Sequence, residues 1–172
     1  MNRREMLTLE LREDIGSAIL DLMREKPLDK ITVDEFSERA NVGRATFYRQ
    51  FGSKEEAISY KLNRDWAHFA EKKGFTFEGT PPKEFSKAFF EFIYSIRETN
   101  ALLLENGCEH CISDAMRMAF ENINAKQNKK EYYHDHFRAY GLLGLVEGWI
   151  EADYDLTVDK MADLAVDFFY KV

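Results

Sequence analysis

The sequence has few prolines and cysteines and no long apolar run. Its 172 residues include three prolines and two cysteines. Two cysteines are too few for the disulfide framework of a small secreted domain. No apolar stretch approaches the roughly 18–20 residues that a membrane span needs, and the charged N-terminus leads into an amphipathic pattern rather than a signal peptide. We therefore expect a soluble protein of the cytoplasm that has no membrane partner.

The net charge of −7 is distributed unequally along the chain. Basic and acidic side chains balance over residues 1–64, so the excess of acidic side chains lies entirely beyond residue 64. A neutral front segment can still bind phosphates when its basic side chains share one face. The net charge therefore neither supports nor excludes a nucleic-acid partner.

Apolar residues recur with helical spacing along the whole chain, and no stretch alternates as a half-buried strand does. The first helix ends before Pro27, because proline disfavours helical dihedrals in the residue that precedes it. Capping boxes, Thr32 with Glu35 and Ser53 with Glu56, begin two further helices. The pattern predicts an all-α fold of about nine helices. Those of the second part are expected over about 83–98, 100–106, 109–125, 131–152 and 157–171.

Two short helices over residues 32–51 form the motif that indicates a function. They are joined by the three-residue break Asn41-Val42-Gly43, and the second helix has only about two turns. This spacing is typical of a helix-turn-helix. Asn41 tolerates the left-handed backbone of a sharp turn, and Gly43 is an acceptable N-cap. The segment 44–51 is then the recognition helix.

The outer face of the helix 44–51 is small, hydroxylated and basic, because Phe47 and Phe51 share the inward face. Small residues let a helix enter the major groove, arginine can bind guanine, and hydroxyl groups can reach phosphate oxygens. The helix N-termini at Thr32 and Lys54 offer N–H groups to flanking phosphates. The predicted DNA-binding residues are Thr32, Gly43, Arg44, Ala45, Thr46, Tyr48, Arg49 and Lys54.

The stretch 31–56 resembles the DNA-binding region of TetR-family transcriptional regulators. Its most specific part is Thr46-Phe47-Tyr48 followed by Phe51-Gly52-Ser53-Lys54-Glu55, and the resemblance extends over about residues 7–66. The family usually has glycine in place of Asn41 and serine in place of Gly43. The resemblance implies an N-terminal three-helix DNA-binding head over 1–66, with its helix-turn-helix at 32–51. It also implies a helical ligand-binding and dimerisation body over 67–172.

Three glycines and a tryptophan within the predicted helix 131–152 indicate a dimer interface. One helix-turn-helix covers too few base pairs to specify a site, so we expect a homodimer on a pseudo-palindromic DNA operator. Glycines are costly inside a helix but let a second helix approach closely. The pattern resembles the dimerising helices of one TetR subgroup, and packing into the chain's own core is the alternative. The predicted interface residues are Gly141, Gly144, Gly148, Trp149 and Phe168.

The family resemblance also implies a small-molecule effector bound in the body, and no other cofactor is predicted. The predicted ligand-binding residues are Phe89, Phe92, Met116 and Phe120, although aromatic residues at helical spacing more commonly form plain core. We expect a ligand-responsive repressor that acts as a homodimer. The alternative is a TetR-like co-activator or protein-interaction module with a reduced or lost DNA-binding role.

The segment Cys108-Glu109-His110-Cys111 contains residue types that bind metals. Together with His134 and His136 it could supply a tetrahedral zinc site. A single CxxC is a weak signal, and no other residues have ligand spacing, so no metal site is predicted. A redox role remains the alternative to an ordinary structural role for the two cysteines. No catalytic constellation stands out, and an enzyme is not predicted.

Overall fold

The computed structural model describes residues 3–75, 82–121 and 129–169, and these residues form nine α-helices without a strand. The all-α prediction is confirmed. None of the helices in these ranges combines the length and the apolar character that crossing a membrane requires. A short 3-10 helix, Leu28–Lys30, precedes the second α-helix. The α-helices are α1 (Arg3–Met23), α2 (Val33–Arg39), α3 (Arg44–Gln50), α4 (Lys54–Lys73), α5 (Pro82–Ser95), α6 (Arg97–Glu105), α7 (His110–Glu121), α8 (Lys129–Glu151) and α9 (Val158–Phe169).

The chain divides into two compact units. The first unit consists of Met1–Asp65 and Ala101–Ala115, and the second consists of Trp66–Asn100 and Met116–Val172. The first unit thus adds residues 101–115 to nearly the whole of the predicted head, which the linear sequence pattern did not indicate. The functional boundary at residue 66 stays a prediction.

The core of the first unit is made of apolar side chains from α1, α2 and α4. Ile15, Ile19, Phe36 and Ile58 are completely buried there. Helices α1 and α4 approach closely at Gly16, where an added Cβ would lie 2.6 Å from the Cβ of Lys61. Any larger residue at this position would push the two helices apart. Leu7, near the start of α1, is 55% exposed, so the buried stripe of this helix begins further along the chain.

The core of the second unit is rich in aromatic rings. The Trp66 ring of α4 lies 5.5 Å from the Phe89 ring and 5.5 Å from the Phe92 ring of α5, measured between centroids. Edge-to-face and tilted contacts of this kind are the arrangements that aromatic pairs prefer. Helix α5 also forms ion pairs with α9, such as Lys83 with Asp163 at 2.7 Å. The aromatic residues of α5 are therefore part of the hydrophobic core of the second unit.

Candidate nucleic-acid interface

The turn between α2 and α3 has the backbone that the sequence predicted. Asn41 has a φ of 53°, in the left-handed region, as expected for a sharp reversal. The N–H of Val42 donates to the carbonyl of Ser37 at 2.9 Å, which satisfies the end of α2. Gly43 is the N-cap of α3 with extended backbone, and it supplies no side-chain hydrogen bond. The residues of this turn thus set α3 against α2 as a helix-turn-helix.

A capping box at the start of α2 is also confirmed. The Thr32 hydroxyl accepts from the Glu35 N–H at 3.4 Å, and the Thr32 N–H donates to the Glu35 carboxylate at 2.9 Å. Lys26 donates to the other carboxylate oxygen of Glu35. This lysine hydrogen bond, together with those from Thr32, lowers the pKa of Glu35 from 4.5 to about 2. Glu35 is therefore held by its own helix end and by Lys26.

The start of α4 differs in one detail from the predicted capping box. Ser53 accepts from the Glu56 N–H at 3.0 Å, as expected. The Glu56 carboxylate accepts from the N–H of Gly52 at 2.6 Å, one residue before the predicted donor. Because Phe51 has extended backbone after α3, the Gly52 N–H is not used by that helix and is available to Glu56. One carboxylate thereby links the end of α3 to the beginning of α4.

The inner face of α3 is fixed by aromatic packing. Phe47 and Phe51 are buried, as the i, i+4 spacing predicted. The Phe47 ring packs edge-on against the completely buried Phe36 of α2, with 4.8 Å between centroids. The position of α3 on the unit therefore depends on an aromatic contact as well as on the turn.

The outer face of α3 is exposed and has no acidic side chain. Arg44, Ala45, Tyr48 and Arg49 are exposed, and Thr46 is half-buried. Tyr48 is 60% exposed, while one side of its ring contacts Phe47 at 5.3 Å between centroids. A small, hydroxylated and basic face thus lies on the unit surface. This geometry is compatible with the groove-reading role predicted for these residues.

The two arginines of α3 have different neighbours. Arg44 forms an ion pair with Asp34 of α2, with 3.2 Å between nitrogen and oxygen. Both side chains are largely exposed, so the ion pair is weak, and another anion can replace Asp34 as the partner of Arg44. Arg49 has no ion-pair partner in the part of the chain that the structure describes. Arg49 is thus directly available to an external anion, and Arg44 must first leave Asp34.

Lys54 is directed inward, which the sequence pattern did not show. Its ammonium group donates to the carbonyl of Leu28 and, at 3.0 Å, to that of Ile31. Leu28 is the first residue of the 3-10 helix, and Ile31 caps its C-terminal end, where a cation is favourable. A phosphate would have to compete with both carbonyls for this ammonium group. The exposed Thr32, in contrast, lies at a helix N-terminus that faces solvent.

Arg12 of α1 is a positioning residue that the sequence analysis missed. Its guanidinium carbon lies 3.9 Å from the centre of the Tyr60 ring and 4.9 Å from that of Phe51. Such cation–π contacts are worth about 0.5–2 kcal/mol. They attach α1 to the end of α3 and to α4 across long sequence separations. No local pattern contains that information.

The predicted ligand-binding residues lie in the second unit. Phe89, Phe92 and Met116 are buried there, and the side chain of Phe120 lies outside the described residues. Phe89 and Phe92 belong to the aromatic core around Trp66. Their role towards an effector stays a prediction.

The predicted dimer residues fall into two groups. Trp149 is 2% exposed, and its indole N–H donates to the Leu156 carbonyl at 3.0 Å. The α8–α9 turn and Tyr154 enclose its ring, which favours the alternative of packing into the chain's own core, and its role at an interface stays a prediction. Gly141 is half-buried, whereas Gly144 and Gly148 are exposed. Apart from the backbone of the same helix and the neighbouring residues, no described atom lies within 4 Å of a Cβ built at either exposed glycine. Phe168 of α9 is exposed as well.

Cys108 and Cys111 are both buried free thiols at the start of α7. Within the described residues, no cluster of three or more histidine, cysteine, aspartate or glutamate side chains is arranged to hold a metal ion. The side chain of His134 lies outside those residues.

Comparisons with known proteins match both parts of the chain. A family model described as "Bacterial regulatory proteins, tetR family" matches residues 15–58, and one described as "Transcriptional regulator C-terminal region" matches residues 84–171. The crystal structure of a TetR transcriptional regulator from Rhodococcus sp. RHA1 is similar, with a TM-score of 0.57 and 15% identity. The match covers 94% of this chain and 97% of that one, and it shows a shared fold. No curated protein matches the chain.

Proposed function

The chain belongs to the TetR family of bacterial regulatory proteins, and on that premise we propose that it is a homodimeric, ligand-responsive repressor. The recognition helix α3 enters the major groove of a pseudo-palindromic operator. The two heads of the dimer occupy half-sites about one helical turn, roughly 34 Å, apart. An effector bound in the second unit lowers operator affinity by favouring a different spacing of the heads.

The observation that carries the DNA-binding role is the exposed face of α3. A surface made only for solubility commonly mixes acidic and basic residues. This face instead combines Arg44 and Arg49 with Thr46 and Tyr48 around the small Ala45. Arginine and hydroxyl groups can serve both base edges and phosphate oxygens. Arg44 is paired with the Asp34 carboxylate, but a DNA phosphate can replace this carboxylate because the ion pair is exposed.

Fluorescence anisotropy with the duplex upstream of the protein's own gene tests this role. The full-length protein is expected to bind, with an affinity that falls steeply as salt increases, since each phosphate contact releases a counterion. Arg49→Ala is expected to cost about 1–3 kcal/mol of binding free energy if Arg49 contacts a base, or to reduce the salt slope by about one if it contacts a phosphate.

Arg24→Ala is the matched control for that experiment, because Arg24 is an exposed arginine of the same unit, just beyond α1 and outside the helix-turn-helix. It should leave the DNA affinity within about two-fold of wild type, as surface substitutions away from a site commonly do. Two outcomes would contradict the DNA-binding role: no binding at low salt, or equal affinities of wild type, Arg44→Ala and Arg49→Ala. Either result would favour the alternative, a co-activator or protein-interaction module.

A stripe of exposed residues on α8 supports the homodimer. This α8 stripe consists of Tyr133, Phe137, Tyr140, Gly144 and Gly148, at the three- and four-residue spacing of one helix face. Phe137 is 68% exposed and Tyr140 is 59% exposed. Aromatic anchors beside backbone that a second helix can approach closely are typical of packed helix pairs and interface centres. The occupant that we propose is the α8 stripe of a second copy, related by a two-fold axis.

An effector in the second unit accounts for ligand response. The buried aromatic side chains of Phe89 and Phe92 favour an apolar or aromatic compound over a highly charged one. A thermal-shift screen of such compounds should find one that stabilises the protein and also weakens operator binding. By linkage, operator DNA should weaken the binding of that compound by the same factor. Repression itself is tested by deleting the gene, which should raise transcription of the genes that carry the operator.

A further inference from the structure

The two cysteines form a pair with a chemistry of its own, and we propose that Cys108 and Cys111 are a peroxide-oxidised switch that closes to an intramolecular disulfide. Both lie in the first unit, which also contains the helix-turn-helix. They are the only cysteines of the chain, so an intramolecular disulfide has no other possible pairing. That oxidation changes operator binding is a further step, and this step rests on the proposed DNA-binding function.

The backbone at the start of α7 places the two residues at the right separation. The N–H of Cys111 donates to the Cys108 carbonyl at 3.0 Å, which is a one-turn hydrogen bond. Such a turn brings the Cα atoms of residues i and i+3 within about 7 Å, close to the usual limit of about 6.8 Å for a disulfide. No rearrangement of distant segments is then needed to form the bond.

Each thiol has a backbone carbonyl as its acceptor. The Cys111 thiol donates to the carbonyl of Glu55 at 3.6 Å. Cys108 in turn donates to the carbonyl of Leu103 at 3.5 Å. Cys108 is 2% exposed and Cys111 is completely buried. Burial keeps large disulfides and alkylating agents away, whereas a peroxide of nearly the size of water can enter through a local opening of the first turn of α7.

The environments of the two thiols favour different roles. The hydrogen bond from Cys111 lowers the pKa of Cys108, and the same bond together with burial raises the pKa of Cys111. Cys108 is therefore the thiol that is more readily present as thiolate, and the thiolate is the nucleophile. Cys111 remains protonated until the second step.

The reaction balances with hydrogen peroxide as the only oxidant. The Cys108 thiolate attacks one peroxide oxygen, the O–O bond breaks, and Cys108 sulfenic acid and hydroxide are formed. The Cys111 sulfur then attacks the Cys108 sulfur, the S–O bond breaks, and the departing hydroxide takes the Cys111 proton as water. The two thiols together lose two electrons and two protons, and the peroxide is reduced to two molecules of water. An alkyl hydroperoxide would give one alcohol and one water.

Disulfide formation changes contacts at the first turn of α4. The hydrogen bond from the Cys111 thiol to the Glu55 carbonyl is lost, and the Cys111 sulfur moves to form a bond of about 2 Å with the Cys108 sulfur. Glu55 follows Lys54, whose ammonium group binds the Leu28 and Ile31 carbonyls, and Ser53, which caps α4. The start of α4 directly follows the recognition helix. Oxidation is therefore expected to disturb the placement of α3 through this segment.

The chemistry is tested on the full-length wild-type protein without a DNA assay. After treatment with hydrogen peroxide and removal of the excess, the intact mass should fall by two hydrogen atoms. The denatured protein should no longer react with a maleimide, and dithiothreitol should restore both the mass and the reactivity. A gain of oxygen atoms without disulfide, a disulfide between two copies, or unchanged thiols would overturn the proposal.

Single variants test the assigned order of the two cysteines. In Cys111→Ser, the remaining Cys108 should form a sulfenic acid that dimedone traps. In Cys108→Ser, the remaining Cys111 should react at least several-fold more slowly. Equal trapping in both variants, or faster trapping of Cys111, would overturn the assignment of Cys108 as the nucleophile. If a variant does not fold, dimedone can instead trap the sulfenic acid on the wild-type protein shortly after peroxide is added. Peptide mapping then shows whether Cys108 or Cys111 was oxidised first.

The effect on DNA is read by the operator affinity of oxidised and reduced protein. Oxidised wild type should bind the upstream duplex about five-fold or more weakly than reduced protein, and dithiothreitol should reverse the change. The double variant Cys108→Ser/Cys111→Ser should bind equally with and without peroxide. Equal affinities of oxidised and reduced wild type would overturn the switch while leaving the disulfide intact. Absence of all DNA binding would instead count against the proposed function, and the mass measurement would still decide on the thiol pair.

Discussion

At the scale of single residues, the recognition helix carries two arginines in different electrostatic states. Arg44 is paired with Asp34, whereas Arg49 has no ionic partner in the described ranges. A carboxylate beside the DNA-binding face repels phosphates and also occupies one of the cations that would bind them. Asp34 therefore acts as a built-in competitor of DNA, and its removal should be measurable.

We predict that Asp34→Asn binds operator DNA more tightly than wild type. The exposed pair is worth about 0.2–1 kcal/mol, which corresponds to a gain of roughly 1.5- to 5-fold in affinity when Arg44 no longer has to leave Asp34. Anisotropy at low salt is the measurement. Asp29→Asn, on an exposed acidic side chain before α2, is the control for the change in net charge. An affinity equal to or below that of wild type would contradict the competition.

A second prediction concerns the pH dependence of stability. The pKa of Glu35 is lowered from 4.5 to about 2 by hydrogen bonds from Lys26 and Thr32. The ionised carboxylate therefore stabilises the folded state above about pH 4.5, and this contribution is lost as the pH falls towards 2. Glu35→Gln should be less stable than wild type at pH 7 in urea denaturation, and the difference should shrink below pH 4.5. Glu38→Gln removes an exposed carboxylate from the same helix as a control, and a gap independent of pH would refute the assignment.

At the scale of elements, the position of α3 is determined by the turn before it and the helix start after it. Asn41 supplies the left-handed backbone at one end. At the other end, Glu56 binds Gly52, and Lys54 binds the carbonyls of Leu28 and Ile31. The short recognition helix has few hydrogen bonds of its own, so it depends on these neighbours. Substitutions at the turn should therefore affect stability and DNA binding together.

Asn41 is the turn residue at which this dependence can be measured. Asn41→Ala should destabilise the protein by about 1 kcal/mol, because alanine lacks the local hydrogen bonding that helps asparagine adopt a positive φ. Asn41→Gly should match or exceed the stability of wild type, since glycine adopts this backbone without steric cost. Urea denaturation gives both values. Equal stabilities of the alanine and glycine variants would show that the backbone at this position is not under strain.

Local sequence patterns were sufficient for the helices and for part of the interface. Proline, capping boxes and the i, i+4 pair Phe47 and Phe51 act over a few residues, so their effects could be predicted from the sequence. The inward direction of Lys54 and the cation–π contacts of Arg12 join residues that are far apart in the chain. Tryptophan is a residue type that commonly anchors interfaces, but Trp149 is buried by the turn between α8 and α9. Its burial depends on packing, which the helical period alone does not specify.

At the scale of the whole molecule, the α8 stripe makes dimerisation testable. Tyr140→Glu places a charge in the proposed interface, where it would be desolvated without a partner. We predict that this variant is monomeric in light scattering at micromolar concentration and that it loses most operator affinity, because one head covers too few base pairs. Leu104→Glu, at an exposed apolar residue of the first unit, is the matched control and should stay dimeric. A dimeric Tyr140→Glu would place the interface elsewhere.

The placement of Trp66 and Trp149 in aromatic clusters has a spectroscopic consequence. These are the only two tryptophans of the chain, and both belong to the second unit. Emission excited selectively at the indole band therefore reports on the second unit alone. A compound that quenches or shifts the indole emission therefore acts on the second unit, and this can be seen before any operator is known. Intrinsic tryptophan fluorescence can thus follow effector binding without a label.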